Sequence, residues 1–194
     1  MTEVNMEEVV IIPTGDEIRQ GLVLDTNSPQ IMELVLGFWP ACRIVRTVPP
    51  PDRKAEIQKE VRGWGQGRGI IFLTGGSGGG KMCNSGLAVD CTHEAVLEIV
   101  QGCEAVELIG SNGHLLAKIV VGRFENKLVV TLPGPTVEAV SGAKAVLGNT
   151  VEDVDVKTLA LQVAQAIFAQ YPVKIQLDAR KTFPPALNKE PAGK

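Results

Sequence analysis

Short apolar runs bounded by glycine, proline or aspartate alternate along this chain with stretches whose apolar residues recur every three or four positions. Val9-Val10-Ile11-Ile12, stopped by Pro13-Thr14-Gly15, predicts a buried strand. Ser28 followed by Pro29 predicts a capped helix with Ile31, Leu34 and Val35 on one face, ending at Gly37 and Pro40. Ile44 to Val48 predicts a second strand, closed by Pro49-Pro50-Pro51, after which Asp52 can cap a helix reaching about Trp64. Gly69-Ile70-Ile71-Phe72-Leu73 is the most apolar short run, as expected of a central strand covered on two faces.

Beyond a glycine-rich stretch, Asp90 or Thr92 starts a predicted helix through Ile99, with His93 on its surface. Strands follow at Ala105 to Ile109, Leu115 to Arg123 and Leu128 to Leu132, with a hairpin turn at Glu125-Asn126-Lys127. Pro135 opens a helix to about Leu147, and Asp153 or Asp155 caps a longer one whose Leu159, Val163 and Ile167 form an apolar stripe. That stripe reads as core. Strand–helix alternation in the first half implies an α/β fold with a mostly parallel sheet covered on both faces, and the later hairpin makes the sheet mixed. The expected organisation is a single domain over 1–177 and a polar, proline-rich tail over 178–194.

Composition narrows the function. With 44% hydrophobic and 21% charged residues the chain is globular, and no secretory or membrane-spanning run is evident, so the expected compartment is the cytoplasm. The net charge of −3 and the interspersed signs give no broad footprint for nucleic acid or an anionic membrane. Any anion is bound locally. Cys42, Cys83, Cys91 and Cys103 lack CxxC spacing and read as reduced thiols. Trp39 and Trp64, at element ends, read as packing residues.

The chemistry concentrates in Thr74-Gly75-Gly76-Ser77-Gly78-Gly79-Gly80-Lys81, which follows the central strand. In open α/β sheets ligands gather there, because loops and helix starts present backbone N–H groups. Glycine lets the backbone approach a phosphate, Thr74 and Ser77 add hydroxyls, and Lys81 adds charge. Gly75, Gly80 and Lys81 satisfy GxxxxGK, but Met82 stands where Ser or Thr would ligate Mg²⁺, which argues against an ATP-binding P-loop. A GxGxxG dinucleotide fingerprint lacks its acidic partner.

The loop has ordered company: Thr14-Gly15-Asp16-Glu17, Gly21, Asp25-Thr26-Asn27-Ser28, Asp90-Cys91-Thr92-His93-Glu94 and Leu132-Pro133-Gly134. Together these segments, from about Val9 to Leu147, resemble the molybdopterin-binding MoaB/Mog domain family, which includes adenylyltransferases, molybdenum insertases and the N-terminal part of CinA-like proteins. The resemblance implies a three-layer α/β/α domain, often a homotrimer, that takes part in molybdenum or tungsten cofactor biosynthesis. It implies a pterin ligand at Thr74, Gly75, Gly76, Ser77 and Gly78, with Asn27, Ser28, Pro133 and Gly134 at the edge of the site.

In the family's enzymes an adenylyl group passes from ATP to the phosphate of molybdopterin, with Mg²⁺. Asp90 matches one acid of that reaction. Asp25 and Asp90 would hold the Mg²⁺, Lys81 would offset charge, and Asp52 would stand in for a further acid displaced by an insertion. Each acid also has a local reading: Asp90 and Asp52 as helix caps, Asp25 and Asn27 as turn residues. The segment from Gly79 to Val89 enlarges the family's short loop. Two other outcomes fit the same motifs: a CinA-like nucleotide pyrophosphatase, suggested by Gly21 to Ser28, and a non-catalytic carrier or sensor of a pterin or nucleotide.

Overall fold

A computed structural model describes residues 6–76, 91–110, 115–149 and 154–171. Each apolar run marked in the sequence is a strand in it: β1 (Glu8–Pro13), β2 (Arg43–Arg46), β3 (Gly69–Thr74), β4 (Gln101–Ile109), β5 (Leu115–Phe124) and β6 (Lys127–Leu132). They form one sheet in the order β2-β1-β3-β6-β5-β4. β2, β1, β3 and β6 run parallel; β5 pairs antiparallel with β6, and β4 antiparallel with β5. The sheet is therefore mixed and mostly parallel, as the pattern predicts.

The helices are α1 (Asp16–Arg19), α2 (Asn27–Phe38), α3 (Lys54–Gly63), α4 (Thr92–Leu97), α5 (Thr136–Leu147) and α6 (Val156–Phe168). Side chains of a strand alternate between faces, so β1 sends Val9 and Ile11 to one side and Val10 and Ile12 to the other. The first face is covered by α2, α5 and α6 through Ile31, Val35, Ala139, Ala143, Leu159 and Val163. The second is covered by α3 and α4 through Ile57, Val61, Ala95 and Val96. These two apolar layers make the three-layer α/β/α sandwich. From β1 the chain crosses to β2 on one side, and β3 returns to the other. The carboxyl end of β1 is thus a point where the connections diverge, and a crevice opens there.

Several boundaries differ from the sequence reading, each for a physical reason. α2 starts at Asn27, two residues before the Pro29 expected after a Ser28 cap; its flanking residue is Thr26, and Ser28 lies inside the first turn, where its N donates to Asp25 Oδ1 at 3.0 Å. Asp52 does not cap α3, whose first flanking residue is Arg53; Asp52 instead accepts from Asp16 N at 2.8 Å. His93 lies within α4 but is only 8% exposed, because α4 packs closely between α3 and the sheet. Lys127 belongs to β6 rather than to the hairpin turn. α1, a single turn after Gly15, has too few apolar residues to show as a period. For α6 the expected Asp155 cap is present, accepting from Thr158 N at 2.9 Å.

Candidate functional site

At the carboxyl ends of β1, β3 and β6 three turns are tied together. Thr14 donates to the Thr74 carbonyl from both its amide, at 2.8 Å, and its hydroxyl, at 3.1 Å. Gly75 N donates to the Leu132 carbonyl at 3.0 Å. Thr92, at the start of α4, donates its hydroxyl to that of Thr14 at 2.9 Å. These bonds satisfy groups that strand ends would otherwise leave open.

Glycine is required at two of these points. Gly75 has φ +101° and Gly76 φ +56°, both outside the range comfortable for side chains. A Cβ on Gly75 would lie 2.6 Å from the Thr14 carbonyl oxygen, and one on Gly76 would lie 2.1 Å from Thr92 Oγ1. Since the Gly75 amide is engaged by Leu132, what this residue offers a ligand is bare backbone. Gly76 rests directly on Thr92, which brings the end of β3 against the start of α4.

A cavity of about 220 Å³ opens beside these turns, walled by Thr14, Glu17, Asp25, Asn27, Thr74 and Gly134 among others. It adjoins a wider groove of about 620 Å³ that shares Ile18, Val23 and Asp25 and adds Ser28 and Arg46. Asn27 is 8% exposed. Its Nδ2 donates to the Gly134 carbonyl at 2.9 Å, while its Oδ1 is buried with no hydrogen-bond partner among the described residues. Thr26 and Thr136 share a further hydroxyl bond of 2.5 Å, so the starts of α2 and α5 are clasped side by side.

Asp25 is heavily used inside the protein. Its Oδ1 accepts from Ser28 N, and its Oδ2 accepts from Ser28 Oγ at 2.6 Å and from Arg46 Nε and Nη2 at 3.1 and 3.0 Å. Burial raises its pKa, but the bonds from Ser28 and Arg46 outweigh that and hold it below the usual carboxylate value. Asp52, 6% exposed, is in a reciprocal pair with Asp16: Asp52 N donates to Asp16 Oδ1 at 3.2 Å in return. This pair fixes α1 against the chain after the proline run.

Among the predicted site residues, Asp25, Asn27, Thr74, Gly75 and Gly134 meet on the cavity wall. Ser28 faces the adjoining groove, Gly76 packs on Thr92, Pro133 is buried behind Gly134, and Asp52 stands apart at Asp16. Ser77, Gly78, Lys81 and Asp90 lie outside the described residues. Among the described residues no three His, Cys, Asp or Glu side chains gather as a metal site. The expected Mg²⁺ pair is Asp25 with Asp90, and Asp90 lies outside the described residues. Arg46 was missed in the sequence, where nothing links it to Asp25, 21 positions away.

Comparison with known proteins gives the geometry a family. Among curated proteins none matches. The molybdopterin biosynthesis enzyme MoaB from Thermus thermophilus is similar in structure, with TM-score 0.54, 23% identity, and 82% of this chain and 98% of that chain covered. A molybdopterin biosynthesis protein from Mycobacterium abscessus follows at TM-score 0.51, 20% identity, covering 84% and 95%. The protein CinA from Thermoplasma acidophilum, of unknown function, has TM-score 0.51, 17% identity and covers 73% and 96%. These likenesses establish the shared fold. The family described as probable molybdopterin binding domain matches residues 10–153, the span that carries all three tied turns and Asn27, and the chain belongs to that family.

Proposed function

We propose that this domain binds molybdopterin at the carboxyl ends of β1, β3 and β6, as part of molybdenum or tungsten cofactor biosynthesis. The observation that carries this reading is the convergence of Thr14, Thr74, Gly75, Asn27 and Gly134 on one cavity. They come from several motifs and strand ends, and hydrogen bonds to the backbone hold them in register before any ligand arrives. A preformed pocket spends little binding energy on ordering itself.

Adenylyl transfer would extend this reading. In that reaction a molybdopterin phosphate oxygen attacks the α-phosphorus of ATP, and pyrophosphate leaves with the electrons of the broken P–O bond. Mg²⁺ would offset the charge of the two phosphate groups, a role that calls on Asp90 and Lys81, which lie outside the described residues. What the preformed cavity supports directly is binding.

The test is anaerobic titration of the full chain with molybdopterin released from a molybdoenzyme, followed by fluorescence of the pterin. Saturable binding with a Kd of ~1 μM or tighter is expected. No saturation by ~1 mM would overturn the proposal. Adding Mg-ATP then separates the two readings: adenylylated product establishes the transferase, and binding without product establishes the carrier. ADP-ribose in a parallel cell tests the pyrophosphatase alternative by its hydrolysis.

A further inference from the structure

Away from the ligand end, α5 packs on both α2 and α6, and its seam with α2 is incompletely closed. An open groove of about 470 Å³ runs there, walled by Leu34, Phe38 and Val140 and carrying Glu33. Gly37 adds no side chain to fill it, and a Cβ at that position would meet nothing within 4 Å. Leu34 and Phe38 stand four residues apart on α2, so they share one stripe. Phe38 is 43% exposed, and Val137, three residues before Val140 on α5, is 64% exposed. Apolar carbon gathered in this way on a folded domain marks a surface that something covers.

The last described residue lies beside this surface. Tyr171, three residues past the end of α6, packs against the apolar layer, and its hydroxyl donates to the Glu138 carboxylate on α5. The sequence then continues as Pro172-Val173-Lys174-Ile175-Gln176-Leu177. Pro172 breaks the helical ladder. Val173, Ile175 and Leu177 alternate with Lys174 and Gln176, so an extended chain here carries its aliphatic side chains on one side. The reach is sufficient: a helix is about 10–12 Å across and an extended residue covers about 3.3–3.6 Å, so about three or four residues carry the chain over α5. The charges agree as well, Glu33 in the groove and Lys174 in the segment.

We infer that residues 172–177 cross α5 in extended form and seat Ile175 and Leu177 in the groove between α2 and α5. Val173 then covers the exposed Val137 on the way. The groove is a docking site for the chain's own segment, and it completes the apolar layer that α2, α5 and α6 share. This is independent of the pterin-binding reading, and its test needs no ligand.

The experiment places p-benzoylphenylalanine at position 175 of the full chain. An equal mixture of ordinary and ¹⁵N-labelled protein is irradiated, and the crosslinked peptides are read by mass spectrometry. Crosslinks to residues 33–38 or 137–141 within a single isotope are expected. Crosslinks that join the two isotopes would give the groove to a second copy of the chain; those, crosslinks elsewhere, or none would overturn the inference.

A second measurement does not depend on the photoreactive group. In the full chain, Ile175→Asp combined with Leu177→Asp should speed amide hydrogen exchange about 10-fold or more at residues 33–40 and 137–141, and leave residues 9–12 and 70–73 as in wild type. Unchanged exchange in the two helices would overturn the inference.

Discussion

The parallel strands β1, β3 and β6 have two ends, and the chain treats them in opposite ways. At the amino end Glu8, Gly69 and Lys127 stand in one row across three strands, with Arg43 beyond Glu8 on β2. Lys127 is fully buried, yet its ammonium reaches Glu8 two strands away, and Arg43 meets the same carboxylate at 2.6 Å. Gly69 makes this possible: with no side chain it leaves the row open, and a Cβ there would lie 2.0 Å from the Glu8 carbonyl oxygen. Every charge in this row is answered by another.

At the carboxyl end the glycines serve a different purpose. Gly75 and Gly76 keep backbone close to Thr14 and Thr92, but the polar groups around the adjoining cavity are not all satisfied: Asn27 Oδ1 is buried without a hydrogen-bond partner among the described residues. The same residue type thus closes one end and leaves room at the other. Buried charge that is fully paired is a structural device, whereas a preformed cavity at the carboxyl ends of parallel strands is where open α/β sheets take their ligands.

This contrast can be broken experimentally, beginning at the closed end. Lys127→Ala leaves Glu8 with Arg43 alone and empties a fully buried side-chain site, and should cost about 3–5 kcal/mol of unfolding free energy, read from urea denaturation. Molybdopterin affinity of the folded fraction should stay as in wild type. A variant that keeps its stability would show the row to be incidental. Next in size, Gly76→Ala must accommodate both a left-handed backbone and the Thr92 contact; about 1–3 kcal/mol should be lost. Here, unlike at Lys127, pterin affinity should fall as well, and unchanged affinity would detach this turn from the site.

The smallest effect concerns acid stability. The Asp25 pKa is lowered in the folded protein, so its stabilisation is in full force above the unfolded value of ~3.9 and is lost as pH falls through the lower folded value. Asp25→Asn should cost about 1 kcal/mol at neutral pH and flatten the acid limb of the stability curve below pH ~4. An acid limb as steep as that of wild type would mean that the Ser28 and Arg46 bonds hold the charge no better than water does.

Much of the fold was legible because it rests on local signals. Val9 to Ile12 and Gly69 to Leu73 are apolar on both faces, and only central strands of a covered sheet ask for that. The parts that were not legible depend on distant partners. Asp52 sits where a helix cap is expected, but the proline run carries it to Asp16, 36 positions away, and the backbone amide there wins its carboxylate. His93 reads as a surface residue in the sequence but is buried in the fold. At the site, the Thr-Gly-Gly and Leu-Pro-Gly turns could be found as motifs, and their meeting follows from β3 and β6 being neighbours. The pairing of Arg46 with Asp25 and the buried, unpartnered carbonyl of Asn27 could not, since both are properties of packing.

Hydrogen exchange of the full chain with and without saturating molybdopterin compares the two ends in one measurement. Binding at the carboxyl ends predicts added protection at residues 14–17, 74–76 and 134–138 and no change at residues 43–46 and 125–128. Protection confined to the amino end, or equal at both, would contradict it.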